Sequence, residues 1–286
     1  MARIQSLNIL LDPTGKEYLA ELYGKVIENV NKQLISARIK NTDLSGNPEA
    51  GTVEAKRFVN ASGKAYGTAR TAGKGDAVKA KPVTIAIDQN KEIVEELEQK
   101  DTTLYGVDGI LERRARNHVQ RMAAELDGAF FAEAETAGTE FTPSQDATTV
   151  ELEIEEAIQT VETVKNGYVD GVPRAMINLV CAPAYYGKIR TYLDKVTVPG
   201  VEAGDEEFYA YHGVKTFSSV HLPDGIDYIV MADGAVAQPV MSQQYTAEKI
   251  PLSNAYGVEL FYNYGTKAVM DDLIFYKETA GGSGES

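Results

Sequence analysis

The stretch Leu104–Thr136 reads LYGVDGILERRARNHVQRMAAELDGAFFAEAET, and its apolar residues recur at steps of three and four. Leu104, Val107, Leu111, Ala115, Val119, Met122, Leu126 and Phe130 therefore share one face of a helix, because 3.6 residues complete a turn. Leu111, Val119, Met122, Leu126 and Phe130 are its expected core face. Glu112, Arg113, Arg116, Arg121, Glu125 and Asp127 take the opposite side. Thr102 or Thr103 is placed to accept from the first free backbone N–H groups, and Glu112 precedes Arg116 by four, the favourable order for a helix pair. At about 1.5 Å per residue such a helix exceeds about 40 Å, long enough to be the spine of the fold.

The 286 residues, 43% of them hydrophobic, can bury a sizeable core in one large domain or two small ones. A formal charge of −14 argues against wrapping nucleic acid, since phosphate contacts depend on Lys and Arg. The single cysteine, Cys181, forms no intramolecular disulfide and sits in an apolar run, so it reads as a small buried hydrophobe. Asn8 and Asp12 interrupt the early leucines, and no apolar run reaches membrane length, so the expectation is a chain with no export signal and no membrane partner.

From the N-terminus, Thr14 and Glu17 have capping-box spacing ahead of Leu19, Leu22, Val26, Val30 and Leu34, which continue at helical steps. A turn-rich connection follows to Gly51. Val53, Ala55, Phe58 and Val59 predict one strand, and Val83, Ile85 and Ile87 a second. Between them lies a small-residue loop too long for an ordinary hairpin. Lys56, Arg57, Lys64, Arg70, Lys74, Lys79 and Lys81 face only Glu54 and Asp76, a local charge of +5 that leaves −19 for the rest. A basic hairpin on an acidic body is built to lie on another copy of that body. Glu92–Glu98 reads as an acidic stretch. Beyond the spine, Leu152, Ile154, Ile158, Val161 and Val164 predict a helix, Arg174–Cys181 a buried strand, and Pro183–Tyr192 another helix. Strands are expected at Tyr228–Met231, Tyr256–Asn263 and Lys267–Tyr276, and a mobile tail at 280–286.

Chemical motifs are weak. Gly67–Gly75 fails the phosphate-loop pattern in spacing and ending, and His118, His212 and His221 show no metal-ligand spacing. His118, among Arg113, Arg114 and Arg121, reads as part of a solvated or inter-subunit face. No Gly-x-Ser-x-Gly elbow occurs. No catalytic group, cofactor or metal is expected.

The order of these parts resembles the tailed-bacteriophage major capsid (coat) protein family. The order comprises an arm, a long two-stranded basic loop, Val83-Thr84-Ile85-Ala86-Ile87-Asp88, a spine closing on Ala124-Glu125-Leu126-Asp127, and an α+β remainder. Tyr211-His212-Gly213-Val214-Lys215, Val220-His221-Leu222-Pro223, Tyr256-Gly257-Val258 and Tyr264-Gly265-Thr266-Lys267-Ala268-Val269 are similar to that family as well. The resemblance implies an α+β fold with an N-terminal arm (1–50), an extended β-hairpin loop (51–90), a peripheral domain with the spine (91–149), an α/β axial domain (150–240), peripheral return strands (241–279) and a tail (280–286). It implies a structural virion protein, not an enzyme. Hexamers and pentamers of it would close into an icosahedral head, assembled in the host cytoplasm, around double-stranded DNA held without sequence-specific binding. The expected partners are further copies of itself, a separate scaffold protein, the portal and decoration proteins. Some relatives cross-link a loop lysine to a neighbour's asparagine; Lys64 or Lys74 with Asn254 or Asn263 would be the positions, and plain charged contacts are the simpler reading. An encapsulin-like nanocompartment is the alternative that shares the fold, and a soluble enzyme the alternative that does not.

Overall fold

The computed structural model describes residues 6–68, 77–195 and 210–279. Arg70, Lys74 and the tail expected at 280–286 lie outside the described residues, as does the side chain of Leu104. The spine is the helix Thr102–Ala137. Gly106 sets off its first turn with a φ of 75°, which only glycine adopts without strain. From Val107 to Phe130 every residue assigned to the apolar face is buried, as the periodicity requires. The caps and the polar side differ from expectation. Asp101 is the N-cap, while Thr102 Oγ1 donates to the Gln99 carbonyl at 2.9 Å. Glu112 and Arg116 form no ion pair. Asp127 is buried, and its carboxylate accepts from the backbone N–H groups of Ile35 (3.1 Å) and Ser36 (3.0 Å) at the start of the short helix Ser36–Ile39.

The first half of the spine belongs to one core. The helix Pro13–Gln33 lies along it and buries Leu19, Leu22, Val26 and Val30. Its N-cap is Asp12 with Pro13 in the first position, so Thr14 does not cap it. Much of the expected arm is thus core. The same core is closed by a sheet in which Tyr256–Tyr264 pairs with Thr246–Lys249 and Val240–Ser242, and, along nine consecutive positions, with Gln89–Leu97. The acidic stretch Glu92–Glu98 is therefore mostly strand. Its inward Ile93, Glu95 and Leu97 alternate with outward Glu92, Val94 and Glu96, the period-two signature of a half-buried strand.

The second half of the spine belongs to another core. Six strands run in the order Thr139–Glu140, Ile274–Glu278, Ile226–Ala232, Ile177–Cys181, Val214–Ser218 and Ala210–Tyr211. Helices Val150–Glu162 and Pro183–Lys195 cover one face; Phe130, Phe131 and Ala134 of the spine cover the other. Covered on both sides, Ile177–Cys181 is buried at all five positions. The expected boundary between 150–240 and 241–279 is crossed here. Lys267–Tyr276 is not one strand: the 3-10 turn Asp271–Leu273 breaks it, and Ile274–Glu278 joins this sheet instead of the peripheral one.

The hairpin pairs Thr52–Phe58 with Ala80–Ala86 over seven positions. Its root is seated in the body, where Val53, Ala55 and Ile85 pack with Ala237 and Val269. Gly265 allows this seating, because a Cβ there would stand 1.8 Å from the Ala86 carbonyl oxygen.

Leu126, buried midway along the spine, tests this arrangement. Leu126→Ala should lower unfolding free energy by about 2–5 kcal/mol in a urea titration, from lost burial plus a cavity. Leu126→Asp should leave the chain misfolded. Wild-type stability in either variant would show that this face does not pack as described.

Candidate assembly surfaces

Of the seven basic residues nominated from sequence, Arg70 and Lys74 lie outside the described residues and the other five differ in setting. Lys56, Lys64, Lys79 and Lys81 are exposed on the hairpin. Arg57 is not: its side chain is only 10% exposed and grips Asp272 of its own chain with both terminal nitrogens, Nη2 donating to Oδ2 at 2.9 Å. The guanidinium also lies 4.6 Å over the Tyr168 ring. Asn166 donates to the same carboxylate while its own Oδ1 accepts from Tyr168 N and Val169 N, and Asn60 N donates to Gly167 O at 2.9 Å. Burial pushes the Asp272 carboxyl up, but Arg57 and Asn166 outweigh it and hold it below its usual range. Arg57 is thus the tether that aims the hairpin, and its partner 215 residues away left no local signal.

The charge count also missed what lies between the lysines. Phe58, Val59, Tyr66 and Val78 are exposed on the hairpin, Tyr66 at 92%. Charged rim and apolar patches together have the composition of a protein contact surface.

An acidic face lies on the sheet built around Tyr256–Tyr264. Strand register places Glu96, Gly257 and Glu248 in one row, Val94, Glu259 and Thr246 in the next, and Glu92 beside Phe261 in a third. Glu92, Glu96, Glu248 and Glu259 have no ion-pair partner among the described residues, and Val94 between them is 53% exposed. Asn254 is exposed and Asn263 half-buried on the same strand system, while Lys74 lies outside the described residues.

Two polar clusters fix the body. His118, expected on a solvated face, is buried: Nδ1 is 2.6 Å from Tyr245 OH, and Nε2 is 3.3 Å from Glu95 Oε2 without the alignment of a hydrogen bond. Arg114 Nε reaches both Glu95 oxygens at 2.8 Å. Burial lowers the His118 pKa more than the Glu95 carboxylate raises it, so the ring is neutral. In the second cluster Arg174 holds Glu155 and Glu162 and donates to the His212 carbonyl at 3.0 Å. That carbonyl sits in a two-residue turn with positive φ at His212 and Gly213, the geometry of tight hairpins. Arg174 holds the Glu155 carboxyl down at about 2. Cys181 is buried, and burial pushes its thiol up, away from the reactive thiolate. Among the described residues no group of three His, Cys, Asp or Glu side chains is placed to hold a metal ion, and no helix is long and apolar enough to cross a membrane.

No protein-family model and no curated protein sequence matches the chain. Solved structures do. One from Mycobacterium phage Che8 superposes with a TM-score of 0.59 at 21% identity, covering 83% of this chain and 86% of that one. The capsid of cyanophage P-SCSP1u gives 0.58 at 15% identity, covering 84% and 85%. A virus-like particle from Pyrococcus furiosus gives 0.57 at 13% identity, covering 92% of this chain and all of that one. The chain has the α+β fold of tailed-phage capsid subunits.

The buried ring makes folding acid-sensitive. His118 has a folded pKa below its ordinary 6.5, so the unfolded chain binds more protons and stability is full above 6.5 and falls as pH drops below it. The depressed carboxyls of Glu95 and Glu155 act in the same direction, with stability lost below 4.5 and, for Glu155, down to about 2. Melting temperatures between pH 8 and pH 4, taken in steps of about half a unit, should fall monotonically below about 6.5. In His118→Gln the first part of that fall should vanish while the lower part stays; an unchanged profile would show that the ring is protonated in the fold.

Proposed function

We propose that this chain is the structural subunit of an icosahedral bacteriophage head, assembling as hexamers and pentamers around double-stranded DNA. The observation that carries this is a capsid fold matched over more than four fifths of the chain, with a tethered hairpin that exposes both charged and apolar side chains. In this reading Lys56, Lys64, Lys79 and Lys81 lie against the acidic sheet face of a neighbour; Arg70 and Lys74 lie outside the described residues. Phe58, Tyr66 and Val78 supply the apolar contact that Val94 and Phe261 receive. Residues 51–90 form the extended loop and 150–240 the axial domain. The segment 91–149 with the strands of 241–268 forms the peripheral domain, and Ile274–Glu278 completes the axial sheet. A separate scaffold, a portal and decoration proteins are the further partners. No catalysis is assigned.

The energetics favour many weak contacts. Each exposed ion pair contributes about 1 kcal/mol or less and is screened by salt, so a single subunit pair is labile. A closed shell repeats the contact many times, and an acidic wall leaves most of the packaged DNA unbound. A nanocompartment shell is the second reading, favoured by the match to the whole Pyrococcus particle chain. Enclosed protein without DNA would select it.

Expressed protein, alone or with its scaffold, should sediment as megadalton shells, rings or tubes visible by negative stain. A strictly monomeric protein under both conditions would falsify the shell reading.

Lys56, Lys79 and Lys81 changed together to Glu should leave subunit melting nearly unchanged and remove the fast-sedimenting material. Arg57→Met should instead lower subunit stability by about 1–3 kcal/mol, because Asp272 loses its charged partner. Normal shells from the lysine variant would show that hairpin charge does not join neighbours.

A further inference from the structure

Of the described arginines, Arg57, Arg114 and Arg174 each hold a carboxylate of their own chain. Arg113, Arg116 and Arg121 hold none. Acidic residues outnumber basic ones by 42 to 28, so these three are unpaired by arrangement and not for want of carboxylates. All three are exposed on the spine. Helical spacing places them on one side of it with Asn117, Gln120 and Ala124, the cations spread over about 12 Å at about 1.5 Å per residue. Glu112 borders this face without pairing to Arg116. The Arg113 guanidinium is steadied 4.2 Å over the Tyr105 ring.

Beside Arg121 the face opens into a groove of about 500 Å³ between the spine and the Ser218–His221 loop. Asn117, Gln120, Gln33 and two serines line it with hydrogen-bonding groups. Its one carboxylate, Asp127, is occupied by the N–H groups of Ile35 and Ser36.

The chemistry differs from that of the hairpin. The hairpin interleaves its lysines with exposed Phe58, Val59, Tyr66 and Val78, as a protein contact requires. The spine face is mainly cations and amides; its large apolar side chains are Tyr105, which lies under the Arg113 guanidinium, and Ile35 and Val220 on the groove wall. Polar, strongly positive surfaces of Arg, Asn, Gln and Ser are those that contact phosphodiester backbones.

We propose that this face is a phosphate-backbone contact for double-stranded DNA. Arg113, Arg116 and Arg121 each neutralise a phosphate, while Asn117, Gln120 and the exposed Ser218 donate to phosphodiester oxygens without reading bases. The overall charge of −14 keeps DNA from spreading over the rest of the surface, so each contact is weak, local and sensitive to salt. The inference rests on the shell reading only for the source of the DNA.

The test titrates full-length protein into fluorescein-labelled duplexes of two unrelated sequences, followed by anisotropy between about 20 and 200 mM NaCl. Wild type should bind both alike, with affinity falling as salt rises. Arg113→Gln, Arg116→Gln and Arg121→Gln combined should make the log-affinity against log-salt slope shallower by about 2–3, at about 0.9 per phosphate contact, and weaken low-salt binding at least about tenfold. Lys56, Lys79 and Lys81 changed together to Gln should keep the wild-type slope. The inference is overturned by a wild-type slope in the arginine variant, by loss of the slope in the lysine variant instead, by no salt-sensitive binding at all, or by poly-glutamate displacing duplex at equal charge, which would make an acidic peptide the occupant. Shells are scored on the same samples by sedimentation. DNA binding through the arginines without shells sinks only the shell reading, and shells from protein that ignores DNA sink only this one.

Discussion

The structure depends on one helix burying two different faces in succession. Up to Leu126 the spine gives its apolar side to the helix Pro13–Gln33 and the peripheral sheet; from Phe130 it gives it to the six-stranded sheet. Phe130 and Phe131 meet edge-on, 5.5 Å between centroids, and are fully buried, so the rod cannot rotate at that end without opening the second core. Neither sheet has to pack directly on the other. Their relative placement is inherited from the one helix that both pack against, held stiff beyond Gly106 by its own backbone bonds.

Polar groups then set what apolar packing leaves loose. Asp127 sits next to Leu126 yet is buried, because it satisfies two N–H groups that the short helix Ser36–Ile39 leaves free at its start. Gln238 does the corresponding work on the other strand system, donating to the Leu126 carbonyl at 2.8 Å. Arg57 with Asp272 aims the hairpin, and Arg174 with Glu155 aims the turn at His212. Each joins segments far apart in sequence, and each would be costly to leave half-made in a low dielectric. These contacts specify orientation more than they add stability.

That division explains what was legible in the sequence. Three-and-four periodicity gave the spine and its buried face residue by residue, and the all-apolar run at Ile177–Cys181 gave a strand covered on both sides. Gln89–Leu97 was hidden because its outward positions are Glu92 and Glu96, and its inward ones include Glu95, which pairs with Arg114. His118 was read by its charged neighbours in sequence, but at helical spacing it points inward toward Tyr245, 127 residues away. The role of Arg57 likewise depends on a residue near the other end of the chain. Composition and spacing carry the elements; they do not carry long-range polar partners, which decide which of seven basic residues remain available.

Availability is the link from fold to function. An arginine satisfied within its subunit contributes to folding and has little left for a partner, since its fork of donors is already matched. Arg57, Arg114 and Arg174 are used in that way, whereas Lys56, Lys79 and Lys81 of the hairpin and the three spine arginines form no ion pair among the described residues, in an acidic chain that has ample carboxylates to pair them. The two sets are also kept apart. One is interleaved with apolar side chains and projects on a hairpin; the other is set among amides on the rigid spine. If the chain is the shell subunit proposed above and also meets a polyanion, it needs that separation, because a basic patch open to both would let nucleic acid compete for the contacts that close the shell.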